Sequence, residues 1–179
     1  MKSYEDQLRV VLRFVEDDLT SIREGALLDL QSDLALIAGV SRKDWTKPIL
    51  SDLQKQARFI IEIIAAHNAR ESGGQVREDG ESYLFPPGKP DAAIFWSYQD
   101  GHFTPKLPSS VRRATVDVST STNRFLWTLC AILSQIDATR VRICWEECRK
   151  LFYAEHGNQW FHAQSCANRA KLKRFRSQS

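Results

Sequence analysis

The sequence predicts an α+β protein that is mainly α-helical, with a helical N-terminal domain, a small antiparallel sheet and a compact C-terminal module. Apolar residues recur at helical spacing over most of the first 70 positions and again after position 120. In the middle of the chain, short aromatic segments lie beside Asp-Gly pairs, which is typical of hairpins. Three of the four cysteines cluster after position 140. We therefore divide the chain into domains at residues 1–138 and 139–179.

Three amphipathic helices are predicted before the middle region. Leucine, valine and isoleucine follow the i, i+3, i+4, i+7 rhythm over positions 8–22 and again over positions 27–37. Gly39 is the expected C-terminal stop of the second helix. A third helix is expected to begin with Ser51 as its N-cap and to end near Asn68. Apolar stripes at this spacing are typical of a core, so we assign them to packing.

The middle region predicts a small antiparallel sheet packed on one face by the helices. Asp-Gly pairs at 79–80 and 100–101 lie next to segments rich in aromatic and β-branched residues. Three such segments are expected to be strands, at 83–85, 94–98 and 102–104.

Aromatic residues of this region have two interpretations. Phe95, Trp96 and Tyr98 either belong to an aromatic core or line a pocket for a small molecule. His67 and His102 have no acid or nucleophile at a recognisable spacing, so acid–base catalysis has no support in the sequence. We therefore expect that the protein is not an enzyme.

Composition and cysteine usage indicate a cytoplasmic protein. The chain has 179 residues, of which 42% are hydrophobic and 26% are charged, as in ordinary globular proteins. It has no apolar run of membrane-spanning length and no signal-peptide pattern. A further helix is predicted from Ser121, and Cys130 lies on its apolar face as an expected core residue. We expect no association with a membrane.

The other three cysteines have the spacing of a metal site. Together with one histidine they form the pattern C-x3-C-x13-H-x3-C, with Cys144 and Cys148 as the first pair and His162 and Cys166 as the second. Zn2+ is held by four such ligands in a tetrahedron, often as two short-spaced pairs. Ordinary core thiols are the alternative, and His156 is an alternative to His162 as the fourth ligand. The pattern predicts one structural Zn2+.

The form of this module follows from the residues between the pairs. Apolar and aromatic residues at 151–154 and 159–161 flank a turn at 156–158, which favours a β-hairpin. A helix starting near His162 would carry the last two ligands on one face. A knuckle, a hairpin and a helix together make a treble-clef-like zinc finger.

Part of this segment resembles the CGNR zinc-finger family. The matching residues are Cys144, Cys148, Leu151-Phe152, Trp160 and Cys166-Ala167-Asn168-Arg169 with Ala170-Lys171. Phe161 stands where the family has a cysteine, which shifts that ligand to His162, and Ala167 replaces the motif's glycine. The resemblance covers the last quarter of the chain. It implies a bacterial transcription regulator with an α-rich ABATE domain at 1–138 and a DNA-binding finger at 139–179.

Charge is concentrated in the same module. From position 141 onward there are 8 Lys/Arg and 3 Asp/Glu, net +5, whereas the rest of the chain holds 17 and 19, net −2. Most of this excess lies in five residues: Arg169, Lys171, Lys173, Arg174 and Arg176. On a helix, Arg169, Lys173 and Arg176 share one face, which suits a phosphate backbone. A solvated basic tail is the alternative.

We expect a DNA-binding transcription regulator whose basic C-terminal helix contacts double-stranded DNA in the bacterial cytoplasm, associated with the nucleoid. Asn168 and Arg169 either read bases or hold the finger's own backbone. The α-rich domain is expected to sense a small-molecule effector or to mediate self-association as a homodimer. The alternative is a module for binding proteins or small ligands, in which the zinc finger is purely structural.

Overall fold

The fold is mainly helical, as the sequence predicts. The computed structural model describes residues 3–71, 82–84, 95–99, 102–106, 120–145 and 148–177. Within these ranges the helices and strands are α1 (Tyr4–Glu16), α2 (Glu24–Ala38), α3 (Lys47–Glu71), β1 (Ser82–Leu84), β2 (Phe95–Gln99), β3 (His102–Lys106), α4 (Ser121–Ser134), β4 (Val141–Ile143), β5 (Leu151–Tyr153) and α5 (Gln164–Ser177). None of the described helices is long and apolar enough to span a membrane.

The first helix is shorter than its apolar pattern predicts. α1 ends at Glu16, so Leu19 and Ile22 lie outside it, and the expectation of one helix through position 22 is wrong. The chain leaves the helix because the Asp18 carboxylate accepts the backbone N–H of Thr20 at 2.9 Å, which stabilises a turn. Leu19 is nevertheless buried. The apolar pattern of the sequence therefore extends beyond the end of α1, because the turn that follows packs on the same core.

The ends of the next two helices show one correct and one wrong prediction. Gly39 ends α2 in the left-handed conformation, with φ of 63°, as expected for a glycine stop. Ser51 is not the N-cap of α3, because that helix already begins at Lys47. Pro48 lies in its first turn, where a missing N–H costs nothing.

The predicted small antiparallel sheet is present in the order β1-β2-β3. Ser97 pairs with Thr104, and Gln99 with His102 at the end nearest the connection. The two Asp-Gly pairs lie outside the described residues. So do the side chains of Phe95, Trp96, Tyr98, His67 and His102, and the predicted aromatic pocket stays a prediction.

One hydrophobic core holds the helices together. Phe125 of α4 meets Phe14 of α1 and Trp45 edge to face, with ring centroids 6.3 and 6.0 Å apart. All three rings are almost completely buried. Cys130 is buried in the same core, as expected, and burial raises the pKa of its thiol well above the ordinary value. Cys130 is therefore a packing residue.

The same core continues into the C-terminal module. Val141 of β4 and Leu151 and Tyr153 of β5 belong to the cluster of buried apolar side chains formed by the helices. Asn68 of α3, which is buried, donates hydrogen bonds to the backbone carbonyls of Ala138 at 2.8 Å and Val141 at 2.7 Å. Helix α3 and the β4–β5 ribbon are therefore packed as one unit, and the domain division at 138/139 stays a prediction.

Candidate metal centre

The strands of the C-terminal module pair differently from the prediction. β5 pairs with β4, with Val141 opposite Tyr153 and Ile143 opposite Leu151. The expected hairpin between 151–154 and 159–161 is wrong. The turn after β5 does exist, but the Gln159 side chain accepts the Glu155 N–H at 2.7 Å and closes a loop instead of a strand ladder. β4 is the better partner because its apolar residues enter the body's core.

This pairing places the first cysteine pair in the β4–β5 connection. The Cys144 N–H donates to the Lys150 carbonyl at 2.8 Å, which closes the loop directly after β4. Arg149 has φ of 49°, a left-handed conformation that reverses the chain beside Cys148. The loop therefore turns both thiols toward the same side, as a zinc knuckle requires.

The second pair comes from the start of α5. The helix begins at Gln164, so His162 precedes it and does not lie in its first turn, contrary to the prediction. Cys166 is in that first turn, and its N–H donates to the Ala163 carbonyl at 3.0 Å. An N–H in the first turn of a helix has no partner four residues back within the helix. The bond to Ala163 satisfies this N–H and sets the direction in which the chain enters α5. His162 and Cys166 still come together.

Four donor atoms converge at this point. The thiols of Cys144, Cys148 and Cys166 and a ring nitrogen of His162 all lie within 4.8 Å of one another. The Cys148 and Cys166 sulfurs are 3.8 Å apart. His162 Nδ1 is 3.4 Å from the sulfur of Cys148 and 3.5 Å from that of Cys166. His156 is exposed in the turn and is not part of this cluster.

These separations fit a tetrahedral ion. Zn–S bonds of about 2.3 Å and Zn–N bonds of about 2.0–2.1 Å place two sulfurs about 3.8 Å apart and a sulfur and a nitrogen about 3.6 Å apart. The three distances given above lie close to those values. Three thiolates and one imidazole are soft to intermediate donors that suit Zn2+. The cluster could therefore hold one metal ion, in the arrangement of a closed structural site.

Protonation at the site favours binding by the histidine and opposes binding by one thiol. Burial, followed by the nearby charge of Lys150, lowers the pKa of His162, so its ring is neutral and has a free lone pair at neutral pH. Burial, together with hydrogen bonds to Cys144 and Cys166, raises the pKa of Cys148 to about 11, although a hydrogen bond with the Lys150 backbone acts in the opposite direction. A metal ion must therefore displace the proton of Cys148.

Arg169 contacts the cluster of three cysteines and one histidine directly. Its Nη2 donates to the Cys166 sulfur at 3.1 Å. Burial raises the pKa of the Cys166 thiol, but this hydrogen bond and those with Cys148 and Cys144 outweigh it, and the pKa lies below its ordinary value. Arg169 therefore stabilises the thiolate that a metal would bind. The spacing of three residues between Cys166 and Arg169 is the signal in the sequence for this contact.

Arg142 and Trp160 close the other side of the module, and their contacts were not predicted. Arg142 lies over the Trp160 ring at 4.2 Å and donates to the carbonyls of Gln159 at 2.8 Å and Gly157 at 2.6 Å. Trp145 stacks on Trp160 with ring centroids 4.5 Å apart. Arg142 and Trp160 thus hold the segment after β5 against β4.

The cationic residues of α5 are open to solvent. Residues 171–176 are all exposed. At 3.6 residues per turn, Lys173 and Arg176 lie on the same side of the helix as Cys166, whereas Asn168 and Lys171 lie on the opposite side. The side-chain Oδ1 of Asn168 accepts a hydrogen bond from the side-chain amide of Gln164 at 3.0 Å. Arg169, Lys173 and Arg176 therefore share one side of α5, as expected, and Asn168 and Lys171 are not part of that face.

Comparison with known proteins leaves the resemblance to the CGNR family as a prediction. No family model, no curated protein and no solved structure matches this chain. What stands is a cluster of three cysteines and one histidine in a mainly helical protein.

Proposed function

We propose that this protein is a transcription regulator that binds double-stranded DNA through α5, with one structural Zn2+ at the start of that helix. The charge of α5 carries the proposal. Between Gln164 and Ser177 the chain has five Lys or Arg residues and no Asp or Glu. A solvent-exposed helix with cations and no acids matches the negative phosphate backbone of DNA. The resemblance to the CGNR family supports the same function, in the bacterial cytoplasm.

The proposed role of zinc is structural. Cys166 is the buried side chain of α5, whereas Leu172 and Phe175 of this helix are exposed. Packing therefore contributes little to holding α5 in place. A metal bound by four ligands would join the start of α5 to the loop between β4 and β5. The ion performs no chemistry in this proposal.

The cationic residues are assigned separate roles. Arg169 holds the Cys166 thiolate, consistent with the hydrogen bond between them. Lys171, Lys173, Arg174 and Arg176 contact phosphates in our proposal, because they lie along the exposed part of α5. Asn168 is the candidate for contact with a base edge.

The salt dependence of duplex binding tests the proposal. The zinc-loaded protein is titrated on a duplex of random sequence by fluorescence anisotropy, at several salt concentrations. The quantity compared is the slope of the logarithm of the binding constant against the logarithm of the salt concentration. In the variant with Lys171, Lys173 and Arg176 changed to Gln, this slope should become shallower by about 2.7, since each lost phosphate contact removes about 0.9. The matched control changes Lys43, Lys47 and Lys55 to Gln.

Those three lysines lie in the N-terminal domain and are exposed, so the control loses the same charge without touching α5. Absence of duplex affinity at low salt, or an equal change of slope in both variants, contradicts the proposal.

A second candidate function is binding to another protein, including a second copy of this chain. Leu172 and Phe175 of α5 are 57% and 73% exposed and, three residues apart, lie next to each other on one side of the helix. Changing both to Ser should abolish a partner complex or a homodimer, as measured by light scattering, if α5 is a protein-binding helix. Unchanged mass together with unchanged duplex affinity contradicts this second candidate.

A further inference from the structure

A cleft lies between helix α1 and the C-terminal module. It has a volume of about 470 Å³, and its walls come from the C-terminal half of α1 and from β5 with the segments on either side of it. Pockets for small molecules in proteins have volumes of this order. The metal ligand His162 forms part of the wall. A molecule in the cleft would therefore touch both the helical body and the metal centre.

The base of the cleft is apolar. Leu12, Leu151 and Tyr153 line it and are almost completely buried in the core. Such side chains are held in place by packing on all other sides, so the base is a preformed surface. An occupant with an apolar body would cover this surface from solvent.

The acidic side chains at the rim are mostly engaged already. The Glu16 carboxylate accepts the Leu151 N–H at 3.2 Å and meets Arg58, from outside the cleft, at 3.4 Å. Glu155 pairs with Arg9 at 3.9 Å. Asp17 is the remaining acid at the cleft.

Two cations at the rim are available to an occupant. Arg13 and Lys150 line the cleft and are exposed, and within the described part of the chain neither side chain forms a hydrogen bond or an ion pair. The cleft lining holds equal numbers of Lys/Arg and Asp/Glu, so its preference for an anion rests on these two cations, which have no partner of their own among the described residues, and not on an excess of positive charge. An anionic group would therefore be favoured over a neutral one.

We propose that this cleft binds a small organic carboxylate, with Arg13 and Lys150 holding the carboxylate and the base holding an apolar body. As the occupant would touch α1 and His162 together, it is the candidate effector of the regulator. Its role as effector, but not its binding, rests on the proposed function.

Benzoate is the probe, and benzamide is its neutral counterpart of the same shape. The zinc-loaded full chain is titrated with each, and amide resonances of Leu151 and His162 report binding by NMR. Benzoate should shift these resonances, and Arg13→Gln and Lys150→Gln should each weaken it at least tenfold. Lys55→Gln, an exposed charge change on α3, should bind benzoate as the unchanged protein does.

Several outcomes overturn the inference. These are resonances that do not respond to benzoate, equal binding of benzamide, and variants at Arg13 and Lys150 that bind benzoate with unchanged affinity. If inorganic phosphate binds as tightly as benzoate, the apolar body contributes nothing to affinity, and that part of the proposal is refuted. Duplex binding without benzoate binding would refute only the cleft, whereas benzoate binding without duplex affinity would refute only the proposed function.

Discussion

Replacing Arg169 by alanine separates the role proposed for it, holding the metal site, from the alternative role of touching DNA. The side chain donates a hydrogen bond to the Cys166 sulfur at 3.1 Å. Hydrogen bonds to a metal ligand from residues that do not themselves bind the metal are worth about 10–100-fold in metal affinity. At about 1.4 kcal/mol per tenfold change, Arg169→Ala should weaken zinc binding by roughly 1.4–2.8 kcal/mol.

Competition with a chromophoric zinc chelator measures this loss. Lys171→Ala is the matched control, because Lys171 carries the same charge on the same helix but lies on the side opposite Cys166. The control should keep the zinc affinity of the unchanged protein. Equal zinc affinities for Arg169→Ala and the unchanged protein would refute the role of this hydrogen bond.

A second measurement, at saturating zinc, asks whether Arg169 also contacts DNA. If the side chain only stabilises Cys166, excess zinc should restore duplex affinity in Arg169→Ala to that of the unchanged protein. A loss of duplex affinity that persists at saturating zinc would mean that Arg169 contacts DNA as well. Anisotropy on one duplex at fixed salt decides between these results.

Three further predictions concern the metal and the joint with the body. His162→Ala should lose the bound zinc that His156→Ala retains, as metal analysis per chain would show; the opposite pattern would place the ligand in the turn. Zinc affinity should fall as pH falls, by about tenfold per pH unit for each thiol proton displaced. The reason is that the raised pKa of Cys148 keeps its thiol protonated without metal. A zinc affinity that does not change within about one pH unit either side of neutral would contradict this. Asn68→Ala removes the side-chain donor to the carbonyls of Ala138 and Val141, of which Ala138 keeps the Val141 N–H, and should lower the free energy of unfolding by about 1–3 kcal/mol in denaturant titrations. Lys55→Ala, at an exposed position of the same helix, is the neutral control; equal stability of the two variants would contradict the prediction.

The cluster of candidate metal ligands could be predicted from sequence because the spacing of its residues is local. Cys144 and Cys148 lie in one loop, and His162 and Cys166 lie at one helix start, so two short spacings indicate two half-sites. The choice between His156 and His162 needed the structure. It depends on where the chain turns after β5, and both histidines lie close enough in sequence to serve.

Strand pairing was predicted less well, for a different physical reason. The apolar residues at 159–161 resemble a strand as much as those at 141–143 do, and nearby segments joined by a turn favour pairing. The structure pairs β4 with β5 because Val141 enters the core of the helical body. The contacts of Asn68 and Glu16 across the chain depend on that long-range packing, so no local pattern could predict them.

The shared core limits what the metal has to stabilise. Val141, Leu151 and Tyr153 are at most 4% exposed and pack among the helices, so burial in the body already stabilises β4 and β5. After the turn, Cys166 is the buried residue of α5, whereas the large apolar residues of that helix, Leu172 and Phe175, are exposed and do not anchor it in the core. Isolated helices of this length are marginal in water. A bound ion would therefore act mainly on the loop that carries Cys144 and on the start of α5, which are the parts that set the direction of the cationic helix.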